Sequence, residues 1–411
     1  MLFLYNVGLQ LYVLVVRAFA IKNEKAKKWW IGRKNAKRDI SRWKATKPKT
    51  IWVHAASLGE FEMGKPIFEP LLNALDRENT HLIITFFSPS GYDVAIERYN
   101  KADLITYLPV DTKANALFFL NHIKPDLAVF VKYEFWYHII NQTAKRHIPI
   151  FAVGARFHKE QIFFKWYGQW FVELLKKINC IYVQREDDVE LGKRLGLENI
   201  ELGGDPRFKT VMENVKSSID FPDVKRFAEP KFTLIAGSCW EAEEEIMLAF
   251  MKKHLTEYVY IIAPHEFKES RLKQFESIEG LRSVRYSQLT NASQDEVDVL
   301  IIDQVGDLAQ LYKYADLAFV GGGFGVGLHN ILEPLAFDVP TVFGPDDRGF
   351  REAQEVIDLK AAMVVTDYTS LEKAITKVLT GKMKQTDALQ KYFQAKLKGT
   401  SISHSIKNHL H

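Results

Sequence analysis

Short apolar runs, rich in β-branched and aromatic residues, alternate with longer amphipathic stretches from residue 50 onward. Amphipathic spacing over 114–123 and 135–145 predicts helices. The apolar runs predict strands at 50–55, 81–86, 104–108, 127–131, 148–153, 181–184, 232–236, 258–263, 299–302, 317–320 and 341–343. Strand and helix in alternation at this spacing favour parallel, doubly wound sheets.

The alternation breaks at Gly203-Gly204-Asp205-Pro206, and the chain stays polar until Pro230, where the pattern restarts. With 411 residues, the chain is also longer than one hydrophobic core usually serves. We therefore predict an α/β protein with two Rossmann-like domains, at 50–210 and 231–411, joined by a linker at 211–230. A ligand cleft is expected between them, outside the carboxyl ends of the strands. Whether the last helix packs back on the N-terminal domain stays open.

Residues 1–16 carry no charged side chain, and the apolar stretch continues past Arg17 to Ile21. A membrane-spanning helix needs about 20 apolar residues, so 1–21 is predicted to be a membrane anchor or an interfacial helix. A cleavable signal peptide is one alternative, because Ala18-Phe19-Ala20 resembles its cleavage site, but no positive region precedes the apolar run. A buried core helix is the other. Positive charge that follows the helix predicts a body on the cytoplasmic side.

A basic segment follows at 22–49, where twelve Lys or Arg accompany two acidic residues, a local charge of +10 in a chain of net charge +4. Because the basicity is local, it argues against a nucleic-acid-binding body. Trp29 and Trp30 suit the headgroup layer of a membrane, where indoles bury their rings and cations meet anionic lipid. A solvated linker face is the alternative. Elsewhere the composition is ordinary for a globular protein, and two distant cysteines without a CxxC pair favour neither a disulfide framework nor a zinc site.

The first motif with candidate chemistry is HAASLGE at 54–60, where a predicted strand ends, a turn of small residues follows and a helix begins near Glu60. The amino end of a helix favours an ionised carboxylate, and an ionised carboxylate can take the proton of an attacking sugar hydroxyl. The alternative is a first-turn carboxylate that only stabilises the helix dipole.

The second motif is a glycine-rich stretch, 321–327, which follows the predicted strand at 317–320 and leads to HNILEP at 329–334. Glycines such as Gly322 and Gly323 let the backbone approach a phosphate closely, and a helix start offers free N–H groups. Glu333, three residues after Asn330, is a candidate acceptor for ribose hydroxyls. The spacing matches neither a dinucleotide-binding fingerprint nor a P-loop. A purely structural glycine turn is the alternative.

Further polar residues follow other predicted strands. Gly237-Ser238 is a second candidate anion site, with a capped helix start that has Ser238 at or near the N-cap as the alternative. Pro264-His265 ends the next strand, and His265 is alternatively a polar residue with satisfied hydrogen bonds. In the first domain, Glu134 and Arg156 follow strands; the pair could bind a sugar or phosphate, or form an ion pair with each other. No metal site is predicted, because the acidic pairs 187–188 and 346–347 are adjacent in sequence rather than spaced as ligands.

In their order along the chain, these motifs resemble those of the Kdo (3-deoxy-D-manno-octulosonic acid) transferases, over roughly residues 1–380: HAASLGE at 54–60, Glu134 with Trp136, Ala155-Arg156, Gly237-Ser238, Pro264-His265 and HNILEP at 329–334. The resemblance implies a GT-B fold, CMP-Kdo as donor, a lipid A precursor as acceptor and a place at the cytoplasmic face of the inner membrane. It also implies inversion at the anomeric centre without a metal or another cofactor.

By the same resemblance, Glu60 is the general base. The residues implied in donor binding are Gly237, Ser238, Pro264, His265, Gly322, Gly323, Asn330 and Glu333. Those implied in contacts to the acceptor or the sugar are Ser57, Gly59, Glu134 and Arg156. Two alternatives stay open: another GT-B enzyme, such as a UDP-sugar lipid glycosyltransferase or a sugar-nucleotide epimerase, and a non-catalytic membrane-bound protein that binds nucleotide sugars.

Overall fold

The structure, a computed structural model, describes residues 1–291, 297–304, 306–347, 350–383, 387–397 and 402–409. The chain divides into two compact units. Unit 1 consists of Met1–Lys209 and Lys396–His411, and unit 2 of Thr210–Ala395.

Within its described residues, unit 1 contains a parallel sheet of seven strands in the order β3-β2-β1-β4-β5-β6-β7. The strands are β1 (Lys49–Ala55), β2 (Thr80–Phe86), β3 (Leu104–Tyr107), β4 (Leu127–Val131), β5 (Ile150–Ala155), β6 (Cys180–Val183) and β7 (Ile200–Leu202). The helices are α1 (Leu2–Phe19), α2 (Glu24–Arg42), α3 (Leu58–Asn73), α4 (Pro89–Arg98), α5 (Lys113–Ile123), α6 (Tyr137–Ala144), α7 (Gln169–Leu175), α8 (Glu186–Arg194) and α9 (Pro206–Lys216), whose end lies in unit 2.

The described part of unit 2 repeats this architecture, with seven parallel strands in the order β10-β11-β9-β8-β12-β13-β14. The strands are β8 (Thr233–Cys239), β9 (Val259–Pro264), β10 (Ser283–Arg285), β11 (Val299–Ile301), β12 (Leu317–Val320), β13 (Thr341–Phe343) and β14 (Ala362–Val364). The helices are α10 (Pro222–Ala228), α11 (Glu241–Lys253), α12 (Glu269–Glu276), α13 (Leu308–Leu311), α14 (Leu332–Ala336), α15 (Arg351–Asp358), α16 (Tyr368–Leu379) and α17 (Asp387–Leu397), and α18 (Ile402–Lys407) follows within unit 1.

The central strands are apolar because helices cover both faces of a doubly wound sheet. Every residue of β2 is buried. On one face of the unit 1 sheet, Trp52 packs against Phe119 and Phe130. On the other, the core includes Phe61 of α3 together with Ile402 and Ile406 of α18. The last helix therefore completes the core that supports α3, the helix on which Glu60 lies.

Each predicted strand is present, with ends within three residues of the prediction. Three further strands, β7, β10 and β14, were not predicted; each is three residues long, partly exposed and at the edge of its sheet. Residues 211–230, predicted to be a linker, contain most of α9 and all of α10. Pro206 and Pro222 begin these two helices, where a missing N–H costs no hydrogen bond, and α10 buries Val224 and Phe227.

The N-terminal helix α1 is, among the described residues, the one helix long and apolar enough to cross a membrane by length and composition. None of its residues is buried, so the alternative of a core helix is not supported. The next helix, α2, buries Trp29, Arg33, Ala36 and Ile40 against unit 1. Its remaining basic side chains are therefore on the outer face of that helix.

Candidate functional site

In both sheets the strand order reverses direction between two neighbouring strands, at β1 and β4 in unit 1 and at β8 and β12 in unit 2. Ligands of such sheets bind at this switch point, outside the carboxyl ends of the strands. Glu60 follows β1 and Glu134 follows β4, so both predicted residues lie at the switch point of unit 1. Gly237-Ser238 and the glycine-rich stretch end β8 and follow β12, at the switch point of unit 2.

Glu60 closes a capping box at the amino end of α3. Its Oε2 accepts hydrogen bonds from the N–H groups of Ala56, at 2.6 Å, and Ser57, at 3.1 Å. In return, the Glu60 N–H donates to Ser57 Oγ at 3.5 Å. The predicted alternative, a carboxylate that stabilises the helix start, is therefore part of what Glu60 does, but these bonds occupy only one of its two carboxylate oxygens.

The surroundings of Glu60 raise its pKa above the ordinary value. Partial burial is the largest cause, and the charge of Glu134 adds to it, whereas Lys132, the Ala56 amide and His54 act in the opposite direction. A carboxylate with a raised pKa is a stronger base than an ordinary glutamate. Gly59 lies exposed beside it, and outside its chain neighbours and its own helix backbone no atom lies within 4 Å of the position where a Cβ would be.

Glu134 is held by two side chains that sequence reasoning had not assigned to this role. Trp136 Nε1 donates to Glu134 Oε2 at 2.6 Å, and His54 Nε2 lies 3.2 Å from the same oxygen. The other ring nitrogen of His54 lies 2.9 Å from Thr85 Oγ1. Because His54 is fully buried in β1, its ring orientation is fixed and places Glu134 over the end of the strand that leads to Glu60.

Arg156 pairs with Asp188 and not with Glu134, so the alternative of a mutual ion pair is wrong. Its Nε lies 3.3 Å from Oδ2 of Asp188, which is 2% exposed and accepts the Phe157 N–H through its other oxygen. The reason is topological: Arg156 follows β5 and Asp188 is in α8, the helix after the neighbouring strand β6. Burial raises the pKa of Tyr133; the charge of Arg156 lowers it, and the charge of Glu60 adds to the rise.

In unit 2, the segment around Ser238 is a bulge and not a helix cap. Ser238 lies within β8 and has a left-handed backbone (φ 54°), and the pairing of β8 with β9 shifts register here. The N-cap of α11 is Trp240. The helix start is thus capped, as the alternative has it, but Ser238 lies two residues before the N-cap and is not the cap itself. Gly237 is required by packing, since a Cβ there would meet the hydroxyl of Tyr312.

Three rings contact one another after β8, β9 and the glycine-rich stretch. Trp240 lies against His265 with ring centroids 4.3 Å apart, and His265 lies 4.7 Å from His329. Trp240 Nε1 donates to His329 Nε2 at 3.1 Å, so this nitrogen carries a lone pair and the ring is neutral. Burial, and to a smaller extent the neighbouring His265, lower the pKa of His329 to about 4. His265 is exposed, and it is available to a ligand.

The glycine-rich stretch differs from a simple anion cradle. The Gly322 N–H donates to Glu243 Oε1 at 2.8 Å, while Oε2 of Glu243 accepts the Trp240 N–H at 3.0 Å. The Gly322 amide is thus occupied by a carboxylate of the same chain in this structure. A Cβ at Gly322 or Gly323 would meet the backbone of Gly327 or Gly344, respectively, so both glycines also serve the packing of the turn.

Asn330 and Glu333 are brought together as predicted from their spacing. Asn330 Nδ2 donates to Glu333 Oε1 at 3.2 Å, and Asn330 Oδ1 accepts the N–H of Leu332 at the start of α14. Burial raises the pKa of Glu333 to about 7, against which the Asn330 bond acts. Pro264, the last residue of β9, pairs with Cys239 of β8 and so ends beside the Ser238 bulge.

Each unit therefore gathers its own predicted residues. Unit 1 brings Ser57, Gly59, Glu60 and Glu134 to one switch point, with Arg156 after β5, the next strand along the sheet. Unit 2 brings Gly237, Ser238, Pro264 and His265 together with the stretch that leads to Asn330 and Glu333. The residues that sequence reasoning missed are His54, Thr85 and Glu243, which act through side-chain contacts to distant parts of the chain.

Comparison with known proteins shows that the chain is similar to 3-deoxy-D-manno-octulosonic acid transferases. Residues 31–210 match the family model of 3-deoxy-D-manno-octulosonic-acid transferase (kdotransferase). The chain is 27% identical to the 3-deoxy-D-manno-octulosonic acid transferase of Aquifex aeolicus over 339 residues, which cover 81% of this chain and 86% of that protein. It is also 31% identical to a bifunctional glycosyltransferase/methyltransferase of Fusobacterium nucleatum over 339 residues, 79% of this chain but only 52% of that longer protein.

Among solved structures, the UDP-GlcNAc 2-epimerase of Methanocaldococcus jannaschii is similar in fold. The match has a TM-score of 0.56 and 17% sequence identity, and it covers 87% of this chain and 99% of that chain. At this identity the likeness concerns the fold alone. It confirms the predicted class, two Rossmann-like halves of the GT-B type.

Proposed function

We propose, starting from the fact that this chain belongs to the Kdo transferase family of glycosyltransferases, that it transfers Kdo from CMP-Kdo to a lipid A precursor in lipopolysaccharide synthesis. Unit 1 supplies the base and the acceptor contacts, and unit 2 supplies the donor contacts. Transfer inverts the anomeric centre and needs no metal ion.

The proposal rests on the hydrogen bonds of the Glu60 carboxylate and on its raised pKa. Its Oε2 is fixed by the amides of Ala56 and Ser57, and burial together with Glu134 raises its pKa. In the proposed reaction its other oxygen accepts the proton of an acceptor hydroxyl. The hydroxyl oxygen then forms a bond to the anomeric carbon of Kdo, and the bond from that carbon to the phosphate oxygen breaks, with CMP as the leaving group.

The donor contacts are proposed for unit 2. The rings of Trp240 and His265 present a stacked surface for the nucleotide, and Asn330 and Glu333 offer an amide and a carboxyl group to its ribose. Ser238, in its left-handed bulge, carries a hydroxyl at the switch point, where a phosphate is expected. These groups can compensate negative charge on the leaving phosphate by hydrogen bonds.

Membrane association is part of the proposal. The outer face of α1 exposes large apolar side chains, including Phe3, Leu4, Leu11 and Leu14, a surface that a soluble protein rarely leaves in water. The basic outer face of α2 follows directly, and the cations of Arg17 and Lys34 lie over the ring of Trp30, 5.5 and 5.4 Å from its centroid. We propose that this end lies at the cytoplasmic surface of the inner membrane, where the acceptor resides.

The test is product formation by the purified full chain with CMP-Kdo and a tetraacylated lipid A precursor. Mass spectrometry is expected to show the acceptor mass increased by one or more Kdo residues, with undiminished rate in EDTA. Calorimetry separates the alternatives: CMP is expected to bind and UDP to bind more weakly. Tight UDP binding without Kdo transfer would instead favour a UDP-sugar enzyme.

A further inference from the structure

The segment between β5 and α7 presents large apolar side chains to solvent. We call residues 158–168 the aromatic loop. Trp166 is 91% exposed, the most of any large apolar side chain in the described part of the chain, and Ile162 and Tyr167 are each 39% exposed. The rings of Trp166 and Tyr167 meet edge to face, with centroids 5.4 Å apart. Exposed apolar side chains that cluster in this way mark an interaction surface.

The backbone of the aromatic loop is held from its inner side. Phe163 is buried, and its ring centroid lies 5.3 Å from that of Phe157 and 6.1 Å from that of Phe171. At the end of the loop, a Cβ at Gly168 would meet the carbonyl oxygen of Ile162, so the two ends of the turn are in close contact. The exposed side chains are therefore presented by a fixed turn, and their exposure does not result from a loose segment.

The aromatic loop adjoins the first turn of α1. Trp170, two residues after the loop, has its ring centroid 6.0 Å from that of Tyr5 and 5.2 Å from that of Tyr137. Tyr5 Oη also donates to Oδ2 of Asp111, a residue that is 4% exposed, at 2.6 Å. These buried contacts fix the amino end of α1 on unit 1. Trp166 is four residues from Trp170, at most about 14 Å along the chain.

All these groups lie at the carboxyl edge of the unit 1 sheet. Asp111 follows β3, Tyr137 begins α6 after β4, and the aromatic loop follows β5. Because the strands are parallel, their carboxyl ends share one edge of the sheet, and Glu60, after β1, lies at that same edge. The amino end of α1 and the aromatic loop therefore flank the edge that carries the proposed base.

The composition of the aromatic loop indicates a lipid surface as its partner. Trp and Tyr concentrate where a bilayer meets water. Lys159 and Lys165, which are exposed beside the single exposed acid Glu160, suit anionic headgroups. A second copy of the chain is less suited, because three side chains of at most about 250 Å² each bury less than the roughly 800 Å² per partner of a stable protein interface. A bilayer, in contrast, also accommodates the exposed apolar face of α1.

We propose that the aromatic loop is a second membrane-contacting element, which enters the headgroup layer beside α1 and holds the carboxyl edge of the unit 1 sheet at the bilayer surface; this rests on the membrane association proposed above. Two contacts fix the orientation of unit 1 on the bilayer, which one helix alone does not. The loop is also tied to a predicted sugar contact, because Gln161 Nε2 donates to the Arg156 carbonyl at 3.3 Å. A sugar hydroxyl at headgroup level is then brought to the edge where Glu60 lies.

A fluorescent probe on Lys165→Cys tests this contact without requiring turnover. Cys180 and Cys239 are buried, so an environment-sensitive fluorophore labels the new thiol selectively. With the full chain on vesicles of anionic phospholipid, we expect a blue shift of the emission and quenching by lipids with brominated acyl chains. The control is Lys252→Cys, at an exposed position of α11 in unit 2, which is expected to show neither.

Two results of the probe experiment would overturn the proposal. One is a probe at Lys165→Cys that stays in water while the chain is bound to vesicles. The other is a shift that appears without vesicles and grows with protein concentration, which would assign the loop to contact between copies of the chain.

Substitution of the most exposed ring gives the second readout. Trp166→Ser is expected to weaken vesicle binding about tenfold or more, and to raise the KM for the acceptor in vesicles about tenfold while the KM for CMP-Kdo stays the same. Leu379→Ser, at a position of unit 2 that is 63% exposed, is the control and is expected to change neither. Unchanged vesicle binding and an unchanged acceptor KM in Trp166→Ser contradict the proposal. If the probe enters the bilayer but the wild-type chain transfers no Kdo, the proposed function fails and the membrane contact stands.

Discussion

His54 Nε2 lies 3.2 Å from Oε2 of Glu134, and the two residues are 80 positions apart in the sequence. They meet because β1 and β4 are neighbours in the sheet, so the end of one strand faces the loop after the other. This contact, with the Trp136 bond, fixes the negative charge that acts on Glu60.

Glu134→Gln is expected to shift the acid limb of the pH–rate profile to lower pH. Glu134 raises the pKa of Glu60, so its neutral replacement lets Glu60 ionise at lower pH while Gln still accepts the Trp136 hydrogen bond. A base must be ionised to work, and the rising limb of kcat/KM therefore follows the Glu60 pKa downwards. The control is Glu62→Gln, two residues from Glu60 but paired with Lys65. A rising limb that stays at the same pH, or moves to higher pH, contradicts the proposed effect of Glu134 on the pKa of Glu60.

Ser57→Ala is expected to lower both stability and activity. The variant loses the side-chain cap of α3, which typically costs about 1 kcal/mol, and it loosens the turn that positions Glu60. Asp367→Ala removes a comparable cap from α16 in unit 2 and provides the control. The unfolding temperature is expected to fall by a similar amount in both variants, whereas kcat falls only for Ser57→Ala. Equal loss of kcat in the two variants would show that α3 capping has no special role in the site.

Glu333→Gln is expected to remove part of the pH dependence of stability. Burial raises the pKa of Glu333 to about 7 from an ordinary value of 4.5, so between these pH values the folded state holds a proton that the unfolded state has released. Stability conferred by that proton is present below pH 4.5 and is lost as pH rises through 7, by up to about 3 kcal/mol. The measurement is the unfolding temperature from pH 4.5 to 7.5 for wild type and variant, and their difference isolates Glu333 from groups such as His329. Glu245→Gln, on the exposed side of α11, is the control. If the unfolding temperature of Glu333→Gln changes with pH as steeply as that of the wild type, Glu333 is not the source of this pH dependence.

The basic face of α2 is expected to bind anionic membranes in a salt-dependent way. Each lysine near an anionic surface contributes about 1 kcal/mol at low salt, so neutralising three is expected to weaken vesicle binding roughly 100-fold. The substitutions are to Gln at exposed positions Lys25, Lys34 and Lys37, and the control is the same change at exposed positions of unit 2, Lys252, Lys273 and Lys377. Cosedimentation with vesicles at low and high salt measures the effect. Vesicle binding that does not change with salt, or that the control substitutions weaken equally, argues against membrane binding by the basic face of α2.

The sheets could be predicted from the sequence because their central strands are covered on both faces. Such strands are continuous apolar runs, as at 127–131, and they are visible without knowledge of their partners. The edge strands β7, β10 and β14 escaped because half-exposed, three-residue strands leave no run of apolar residues. The helices at 206–228 escaped because their polar outer faces resemble a linker.

The site could be predicted only as far as it is local in sequence. The turn from β1 into α3 places Ser57 and Glu60 together within four residues, and Asn330 and Glu333 lie one turn apart. Contacts between distant segments were missed or misassigned. Examples are His54 with Glu134, Arg156 with Asp188, and Glu243 with the Gly322 amide, each of which depends on which strands become neighbours.

The most direct test is the turnover of Glu60→Gln with CMP-Kdo and the tetraacylated acceptor. Gln keeps an oxygen for the amides of Ala56 and Ser57, so the helix start and the fold are expected to persist while the base is lost. We expect kcat to fall by about 100- to 10,000-fold, with CMP affinity unchanged and Glu62→Gln close to wild type. A Glu60→Gln variant that folds, binds CMP and turns over within a fewfold of the wild-type rate would contradict the account.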